Sequence, residues 1–318
     1  MQIVADENMA LVKEFFGDLG QLQCYQGRHL TQQHLQNTDI LLVRSVTQVN
    51  QQLLSNTPVK FVGSATIGAD HLDLAWLKAQ QITTTTAPAC NARSVVEYVF
   101  ACLAYLQEKN GYSLEGTILG IVGLGNVGYL LAQLGKVLGF TIIGCDPFVT
   151  RDQINQLSLE ALLSQADIIC LHTPLTKQGA YPTYHLLGEH NLSLIKQGAV
   201  LLNAGRGAAI DNQALSKFLH TKHNYLSAVI LDVWESEPAI SRDLLLLITI
   251  ATPHIAGYSL EGKWRGTEMI YQALCRYLNI KPQHSLADFL PMNNQVLQWG
   301  SFATDWQNYA ALLRQVYP

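Results

Sequence analysis

Short apolar runs rich in β-branched residues alternate with segments of helical periodicity through the middle of the chain. Between residues 116 and 252 such runs predict strands at Ile118–Val122, Thr141–Cys145, Asp167–Leu171, Ala199–Asn203, Ser227–Asp232 and Thr249–Thr252. Strands that alternate with helix-length connections form parallel sheets whose faces the helices cover. The pattern therefore predicts an α/β domain built on a parallel sheet.

The first hundred residues repeat this alternation, with strands predicted at Ile3–Ala5, Ile40–Arg44 and Lys60–Gly63. Apolar residues at helical spacing after Asn91 predict a long helix that joins this region to the central sheet. A second helical pattern, Leu260–Leu278, is expected to return to the first sheet. We therefore predict two Rossmann-like parallel-sheet domains with an active-site cleft between them. The first domain is discontinuous in this interpretation and comprises residues 1–98 and 257–280, and the second comprises residues 99–256.

Residues 281–318 follow as a short appendix. The segment Thr304–Tyr317 has helical periodicity, and its apolar residues fall on one face: Trp306, Tyr309, Leu313 and Val316. An apolar face of this kind needs a partner surface. We expect the helix to dock on its own domain or on a second subunit.

The composition is that of a folded chain with little attraction for polyanions. Of the 318 residues, 48% are hydrophobic and only 14% are charged, so enough apolar surface is available for two packed cores. The formal net charge of −4 offers no positive field to a nucleic acid backbone. We expect no nucleic acid partner.

Nothing in the sequence predicts a membrane or secretory segment. The acids Asp6 and Glu7 interrupt the amino terminus before an apolar run can form. The longest apolar stretch, Leu244–Ala251, is far shorter than the roughly 20 residues that span a bilayer, and we predict it to be a buried strand. The six cysteines form no CxxC pair, so neither a disulfide nor a zinc site is expected. We predict a cytoplasmic protein.

A glycine-rich segment follows the predicted strand Ile118–Val122 and opens a helical pattern. It contains, in order, Gly123, Gly125, Asn126, Val127 and Gly128. The first glycine allows a tight turn, the second lets the backbone approach a pyrophosphate, and the third lets the helix lie against the strand. The amino end of the helix also favours an anion. In this context the segment predicts a dinucleotide site, and an ordinary glycine-rich turn is the alternative.

Asp146 ends the next predicted strand and lies at the spacing, about 20 residues past the last glycine, of the acid that binds the ribose hydroxyls. A carboxylate at this position repels the 2′-phosphate of NADP, so NAD is the predicted cofactor. Arg151, nearby in the sequence, is the feature that favours NADP. A solvated aspartate in a turn is the structural alternative for Asp146.

Three further motifs point to a family. They are Asn203-Ala-Gly-Arg206-Gly, Leu231-Asp232-Val-Trp-Glu-Ser-Glu237-Pro238 and Pro253-His254-Ile-Ala-Gly257. In this order behind a glycine-rich nucleotide turn, they resemble the D-isomer-specific 2-hydroxyacid dehydrogenases. Within that superfamily, stretches outside the nucleotide fold resemble the 4-phosphoerythronate dehydrogenase family, chiefly Val43-Arg-Ser-Val-Thr47 and the residues from His254 to Lys263.

The resemblance covers nearly all of residues 1–280 and implies a reaction. That reaction is the NAD-dependent oxidation of 4-phospho-D-erythronate to (R)-3-hydroxy-2-oxo-4-phosphooxybutanoate, a step of pyridoxal 5′-phosphate (vitamin B6) biosynthesis, in a homodimer. Residues 1–98 and 257–280 would bind the substrate, and residues 99–256 would bind NAD. Relatives carry a carboxy-terminal dimerisation domain, of which residues 281–318 would be a shortened form.

The resemblance also implies contacts, residue by residue. The implied substrate contacts are Ser45, Thr66 and Tyr258. Besides the glycine-rich turn and Asp146, the implied NAD contacts are Thr173, Asp232 and Gly257. Short hydroxyls that follow predicted strands suit hydrogen bonds to an anion, although turn residues with no ligand are the alternative.

The residue types of the three motifs suit hydride removal from a hydroxy acid. A base whose pKa lies near the working pH must take the hydroxyl proton, and His254 meets this requirement. Glu237 would hold the second imidazole nitrogen and raise the histidine pKa. Arg206 offers a planar fork to the substrate carboxylate. We predict these three as the catalytic residues and predict no metal site.

Other interpretations remain open at this point. The three residues could be a hydrogen-bonded loop histidine, a surface arginine and an acid that precedes a proline. A 3-phosphoglycerate dehydrogenase would share all three residues, and a non-catalytic NAD-sensing scaffold could retain them. The sequence also does not single out the cation for the substrate phosphate, for which the candidates are Arg44, Arg93, Lys263 and Arg265.

Overall fold

The computed structural model describes residues 1–111, 114, 116–222 and 225–289. The predicted helix at residues 304–317 lies outside the described residues. Within them the chain divides into two compact units. The first unit contains residues 1–91 and the described residues from 258 onward, and the second contains the described residues from 92 to 257.

The strands of the described residues are β1 (Gln2–Asp6), β2 (Gln21–Tyr25), β3 (Ile40–Val43), β4 (Phe61–Ser64), β5 (Thr83–Thr86), β6 (Ile118–Val122), β7 (Thr141–Cys145), β8 (Asn155–Gln156), β9 (Ile168–Leu171), β10 (Val200–Asn203), β11 (Ala228–Leu231) and β12 (Ile250–Ala251). The α-helices are α1 (Val12–Phe16), α2 (Gln51–Leu54), α3 (Leu74–Ala79), α4 (Ala92–Asn110), α5 (Asn126–Val137), α6 (Leu159–Gln165), α7 (Asn212–Thr221), α8 (Arg242–Leu245) and α9 (Leu260–Tyr277).

The first unit contains a parallel sheet in the order β2-β1-β3-β4-β5. The strands predicted from sequence correspond to β1, β3 and β4. The two edge strands, β2 and β5, were not predicted because neither is an apolar run. β2 carries two glutamines among half-buried residues, and β5 consists of four threonines.

Helix α9 packs on the sheet of the first unit. Its residues Ile270, Tyr271 and Leu274 are buried in one cluster with Ile3 and Phe15. A Cβ atom on Gly63 of β4 would lie 2.4 Å from Cγ2 of Ile270. The helix therefore lies directly on β4, where only a glycine leaves room for it.

The second unit contains a parallel sheet in the order β12-β11-β10-β9-β6-β7-β8. The strand order reverses between β6 and β9, and ligands of doubly wound sheets bind beside the carboxyl ends of the strands at such a point. The predicted strands of this sheet are all present. Only the two-residue β8, which has no apolar residue, was missed. The prediction of two parallel-sheet α/β domains is confirmed.

Helix α4 begins where the helical periodicity predicts it. Its buried residues Val96, Val99, Phe100 and Leu103 belong to the core cluster of the second unit, on one face of that unit's sheet. The helix also packs on α5. It therefore supports the strand and helix that flank the glycine-rich turn.

The prediction of a buried strand over Leu244–Ala251 was wrong for most of its length. The hydroxyl of Ser241 accepts a hydrogen bond from the Leu244 N–H at 3.3 Å and caps the short helix α8. Leu246 is 85% exposed, and the strand β12 contains only Ile250 and Ala251. A run of leucines fits a helix as well as a strand, and the capping serine decided for the helix.

Within the described ranges, no helix combines the length and the apolarity that crossing a bilayer requires. All six cysteines are free.

Candidate active site

The glycine-rich turn joins β6 to α5. Gly123 has a φ of 92°, a left-handed conformation that favours glycine. A Cβ atom on Gly128 would lie 1.9 Å from the carbonyl oxygen of Gly123, so only a glycine lets α5 begin this close to the turn. A Cβ atom on Gly125 would meet no atom within 4 Å, so this backbone borders open space. Asn126 and Val127 begin α5, and first-turn N–H groups of a helix favour an anion.

Asp146 follows β7 directly and is held against the glycine-rich turn. Its Oδ2 atom accepts a hydrogen bond from the Leu124 N–H at 2.8 Å. Its Oδ1 atom accepts hydrogen bonds from the N–H groups of Phe148 and Val149 at 2.9 and 3.0 Å. The structure therefore places the predicted ribose-binding carboxylate beside the predicted phosphate turn.

Arg151 approaches the same turn. Its guanidinium group donates to the carbonyl oxygen of Leu124 at 3.3 and 3.4 Å. It also lies over the ring of Tyr129, with Cζ 4.2 Å from the ring centroid. Arg151, the residue whose charge favours NADP, is thus close to the turn, but its guanidinium group is already hydrogen-bonded to the backbone of the turn.

Two residues with unused polar atoms follow β9, beside Gly123. A Cβ atom on Gly123 would lie 2.9 Å from the His172 carbonyl oxygen and 3.1 Å from Cγ2 of Thr173. The Oγ1 atom of Thr173 is buried without a hydrogen-bond partner, which a ligand at this point of the sheet would supply. Both ring nitrogens of His172 are also buried without a partner, and burial lowers the pKa of His172 to about 4. His172 belongs to none of the motifs from which the site was predicted.

The predicted catalytic acid–base pair comes from the loops that follow β11 and β12. The Nδ1 atom of His254 lies 2.8 Å from Oε2 of Glu237. The Oε1 atom of Glu237 accepts a hydrogen bond from the Trp234 N–H at 2.7 Å. Both carboxylate oxygens are thus held, while the His254 side chain is 52% exposed.

The contact shifts the pKa values of both residues. The hydrogen bond to Glu237 raises the pKa of His254 above its ordinary value, against the opposing effect of burial. Burial alone would raise the pKa of Glu237, but the hydrogen bonds from His254 and from the Trp234 N–H outweigh it, so the net direction is down. The pair therefore favours a proton on the imidazole and a charge on the carboxylate.

Arg206 lies in the loop after β10, which the side chain of Asn203 braces. Oδ1 of Asn203 accepts from the Gly205 N–H at 3.1 Å, and its amide donates to the Arg206 carbonyl oxygen at 3.0 Å. The Arg206 guanidinium donates to the Gly205 carbonyl oxygen at 3.0 Å. Its charge also acts electrostatically on Glu237 and on His254. The structure brings the three predicted catalytic residues together in the second unit.

Asp232 is 1% exposed and organises the loop that carries His254. Its Oδ1 atom accepts from the Thr252 hydroxyl at 2.6 Å and from the Ile255 N–H at 2.8 Å, and its Oδ2 atom accepts from the Ala256 N–H at 2.9 Å. Its carbonyl oxygen accepts from the His254 N–H at 2.7 Å. Both oxygens of this predicted NAD contact are therefore bonded within the protein. The half-buried glycine that ends this loop, Gly257, is another predicted NAD contact.

Thr252, for which no role was predicted, continues this network. Because its hydroxyl proton goes to Asp232, its Oγ1 atom accepts from the Tyr98 hydroxyl 2.7 Å away. The Trp234 indole N–H donates to its carbonyl oxygen at 3.0 Å. The only available signal was a hydroxyl residue directly before the Pro253-His254 motif.

The predicted substrate contacts lie in the first unit, after β3, after β4 and before α9. Ser45 is exposed, two residues beyond β3. Thr66 is half-buried, and its Oγ1 atom lies 2.8 Å from Oγ of Ser64. Tyr258 is 63% exposed, with Nζ of Lys263 lying 3.3 Å from its ring centroid.

Two of the candidate phosphate cations, Arg44 and Lys263, lie with these residues. Nε of Arg44 contacts the buried Asp6 carboxylate at 3.2 Å, and Arg44 precedes Ser45 in the chain. The hydrogen bond from Lys263, its charge and the charge of Arg44 together lower the pKa of Tyr258. The two cations therefore share one electrostatic region with Tyr258.

The other two candidate cations have different surroundings. Arg93 forms an ion pair with Glu97 at 3.0 Å along α4, in the second unit. Arg265 lies on α9, where its charge acts on the buried thiol of Cys90. The described contacts do not join either cation to a predicted substrate residue.

A histidine–carboxylate group that the sequence did not predict links three loops of the second unit, those that follow β9, β10 and β11. Nε2 of His185 lies 2.8 Å from Oε1 of Glu235, and its Nδ1 atom lies 3.5 Å from Oδ2 of Asp211. The three side chains offer ligand atoms within 4.8 Å of one another. Of these two contacts only the one to Glu235 is a hydrogen bond, and partly exposed acidic groups often lie together without an ion.

Comparison with known proteins identifies the family. Residues 95–256 match the NAD binding domain of the D-isomer specific 2-hydroxyacid dehydrogenases. The chain is 47% identical to the erythronate-4-phosphate dehydrogenase of Cellvibrio japonicus over 319 positions, which cover 100% of this chain and 82% of that protein. It is 49% identical to the enzyme of that name from Proteus mirabilis, over 92% of this chain and 78% of that one.

Solved structures with the same fold include a 3-phosphoglycerate dehydrogenase of Entamoeba histolytica with bound NAD+. Its TM-score is 0.75 at 22% identity, over 90% of this chain and 98% of that one. A D-lactate dehydrogenase of Aquifex aeolicus, complexed with NAD and lactic acid, has a TM-score of 0.71 at 24% identity, over 88% and 96% of the two chains.

The residues present fit the cofactor of this family. The open space at Gly125 and the carboxylate of Asp146 suit a dinucleotide at a switch point, and a ligand there would give the buried hydroxyl of Thr173 a hydrogen-bond partner. The chain is an NAD-dependent oxidoreductase. It belongs to the D-isomer specific 2-hydroxyacid dehydrogenases and, within them, to the family of erythronate-4-phosphate dehydrogenases.

Proposed function

We propose that the chain oxidises the hydroxyl group on carbon 2 of 4-phospho-D-erythronate to the 2-oxo acid (R)-3-hydroxy-2-oxo-4-phosphooxybutanoate, a step of vitamin B6 biosynthesis. The observation that carries the proposal is the His254–Glu237 pair, which lies with Arg206 in the unit that contains the dinucleotide turn. The names of relatives that are 47% and 49% identical favour this substrate over other 2-hydroxy acids.

His254 is proposed to move the hydroxyl proton. Its neutral Nε2 atom takes this proton while the hydrogen on carbon 2 leaves with the electron pair of its bond. The electrons of the broken O–H bond then form the second carbon–oxygen bond. The Glu237 carboxylate, 2.8 Å from Nδ1, stabilises the imidazolium that results.

Arg206 is proposed to bind the substrate carboxylate and to stabilise the oxygen that becomes the carbonyl. A guanidinium group can donate two parallel hydrogen bonds to a carboxylate, which a lysine cannot do. The Asn203 side chain holds the Arg206 backbone in the loop after β10. Removal of one such donor typically raises the activation free energy by about 2.7–4 kcal/mol.

When bound, NAD supplies the group that receives the hydride. We propose that Gly125 and the first turn of α5 would hold its pyrophosphate, and that Asp146 would accept hydrogen bonds from the ribose hydroxyls. Thr173 would donate or accept the hydrogen bond that its buried hydroxyl lacks. Asp232 and Gly257 would act by shaping the loop that carries His254.

The first unit is proposed to bind the rest of the substrate, and the second unit to bind NAD. Ser45, Thr66 and Tyr258 would contact the substrate, and Arg44 and Lys263 are the proposed phosphate cations because both act on Tyr258. Two positive charges suit a phosphate group, whose charge at neutral pH is close to −2.

The assembly and the compartment are also proposals. Homodimerisation follows from the family resemblance, and sedimentation at micromolar concentration tests it: a monomer would contradict it. A cytoplasmic location suits the six free thiols, since oxidising compartments favour disulfides.

The substrate assignment is tested by kcat/KM for 4-phospho-D-erythronate and for 3-phosphoglycerate, each with NAD. We expect a strong preference for 4-phospho-D-erythronate, which has one hydroxyl group more than 3-phosphoglycerate. A site that forms hydrogen bonds to this hydroxyl has unpaired polar groups when the shorter acid binds. A preference for 3-phosphoglycerate would contradict the proposal. Arg206→Ala tests the alternative of a non-catalytic NAD-sensing scaffold. Such a scaffold would keep its function after this change, whereas the enzyme is expected to lose activity.

A further inference from the structure

Ser64, Thr66 and His71 form a hydrogen-bonded chain in the first unit. Oγ of Ser64 lies 2.8 Å from Nε2 of His71 and 2.8 Å from Oγ1 of Thr66. Ser64 is fully buried and His71 is 5% exposed, whereas Thr66 is half-buried. The hydrogen bonds therefore connect the buried imidazole of His71 with the hydroxyl of Thr66, a half-buried residue just after β4.

The direction of these hydrogen bonds follows from the number of protons. The Thr66 hydroxyl donates to the carbonyl oxygen of Gly68 at 3.3 Å, and a carbonyl oxygen can only accept. Because Thr66 has one hydroxyl proton, it accepts from Ser64, and Ser64 then has no proton for His71. His71 must donate from Nε2.

The protonation of His71 agrees with this direction. Burial lowers the pKa of His71, and the nearby charge of Asp70 opposes but does not reverse the effect. A neutral imidazole carries a single N–H proton on its ring nitrogens, so the tautomer of His71 decides the direction of both hydrogen bonds of Ser64. With that proton on Nε2 the Thr66 hydroxyl is a donor, and with the proton on Nδ1 it would be turned inward.

We propose that His71 and Ser64 are positioning residues, which aim the Thr66 hydroxyl as a donor at an anionic oxygen of the substrate. This inference rests on the proposed function in its assignment of Thr66 to the substrate. The long hydrogen bond to Gly68 is the one that the ligand replaces. The opposite polarity would present lone pairs of Thr66 to the anion and repel it.

The kinetic test uses four variants of the whole chain. His71→Leu and Ser64→Ala are each expected to lower kcat/KM for 4-phospho-D-erythronate about tenfold, mainly through KM, as the loss of a hydrogen bond to a charged group does. The KM for NAD is expected to stay unchanged. His71→Gln keeps an N–H donor and is expected to retain most of the activity. The double variant His71→Leu with Ser64→Ala is expected to be no worse than either single change, because both break one chain.

Two kinetic results would overturn the inference. One is a double variant about a hundredfold impaired, which would mean that the two residues act independently. The other is an equal loss in His71→Gln and His71→Leu, as a purely structural role would give. D-erythronate, which lacks the phosphate, tells which anion Thr66 meets. If the variants also lose kcat/KM with D-erythronate, Thr66 contacts the carboxylate. If they lose none with D-erythronate, Thr66 contacts the phosphate.

A second measurement does not depend on turnover. The ring nitrogen chemical shifts of His71 in isotopically labelled protein report its tautomer, and we expect the proton on Nε2 both with and without the substrate. A proton on Nδ1 in the substrate complex would overturn the inference. The wild type could fail to oxidise 4-phospho-D-erythronate while His71 carries its proton on Nε2. In that case the proposed substrate is wrong, but the direction of the hydrogen bonds from His71 to Thr66 is confirmed.

Discussion

A Cβ atom on Gly207 would stand 2.0 Å from the carbonyl carbon of Trp234. Gly207 directly follows Arg206, and Trp234 donates its N–H to Glu237. The loops after β10 and β11 thus touch through their backbones, with no side chain between them. Backbone packing therefore sets the position of Arg206 relative to Glu237.

Gly207→Ala is expected to lower both stability and activity. The added methyl group must push the two loops apart, and overpacking of this kind costs about 1–3 kcal/mol. A displacement of about 1 Å at catalytic groups can lower the rate about 10²-fold. Thermal unfolding and kcat report the two effects. Gly17→Ala is the matched control, because its Cβ atom meets nothing within 4 Å and its φ is −59°. A wild-type kcat in Gly207→Ala would show that this contact does not set the site.

Glu237→Gln is expected to move the acid limb of the kcat/KM profile for oxidation to lower pH. The hydrogen bond to Glu237 raises the pKa of His254, and oxidation requires this histidine to be neutral. Without the carboxylate the pKa of His254 falls, so the neutral form persists at lower pH. The maximal rate falls at the same time, because the imidazolium loses its partner.

The control for this profile is Glu189→Gln, which removes an exposed carboxylate paired with Lys217 at 2.8 Å. It is expected to leave the pH profile unchanged. An inflection that does not move in Glu237→Gln would mean that another group takes the proton.

Asp146→Ser is expected to weaken the preference for NAD over NADP. The change removes the charge that repels a 2′-phosphate, while Arg151 stays close to the turn. We expect the ratio of kcat/KM for the two cofactors to shift toward NADP about tenfold or more, which corresponds to about 1.4 kcal/mol. Asp152→Ser, at an exposed position nearby, serves as the control. An unchanged ratio would place the ribose elsewhere.

His172 is expected to make the protein sensitive to acid. Burial lowers its pKa to about 4, whereas the unfolded chain binds the proton near pH 6.5. Between these two pH values only the unfolded chain binds this proton. The free energy of unfolding is therefore unaffected by His172 above pH 6.5 and falls by up to about 3 kcal/mol as the pH falls toward 4. Denaturant unfolding at pH 7.5 and pH 5 is expected to show a larger loss in the wild type than in His172→Gln. His220→Gln, at an exposed position, is expected to behave as the wild type. Equal losses in all three proteins would contradict the account.

Most of the fold was predictable because buried parallel strands are continuous apolar runs, as β6 and β7 show. The edge strands β2 and β5 were not, since an edge needs no apolar run and takes its pairing from the neighbouring strand. Leu244–Ala251 shows the opposite case, in which an apolar run became a helix and an exposed turn.

The grouping of Arg206, Glu237 and His254 could be predicted because loops after neighbouring parallel strands meet at one sheet edge. The residues that support them could not. Asp232 and Thr252 are 20 positions apart, and only the pairing of β11 with β12 brings their side chains within 2.6 Å. The contact between Ser64 and His71 likewise could not be predicted, since it depends on the turn after β4.

The most direct test of the central claim is to supply 4-phospho-D-erythronate with deuterium on carbon 2, together with NAD, and to follow the isotope by mass spectrometry of the nucleotide. We expect the deuterium to appear in the reduced nucleotide with the wild type, and no labelled nucleotide above background with His254→Ala. Reduced nucleotide without deuterium, or the same labelling rate in His254→Ala, would contradict the account.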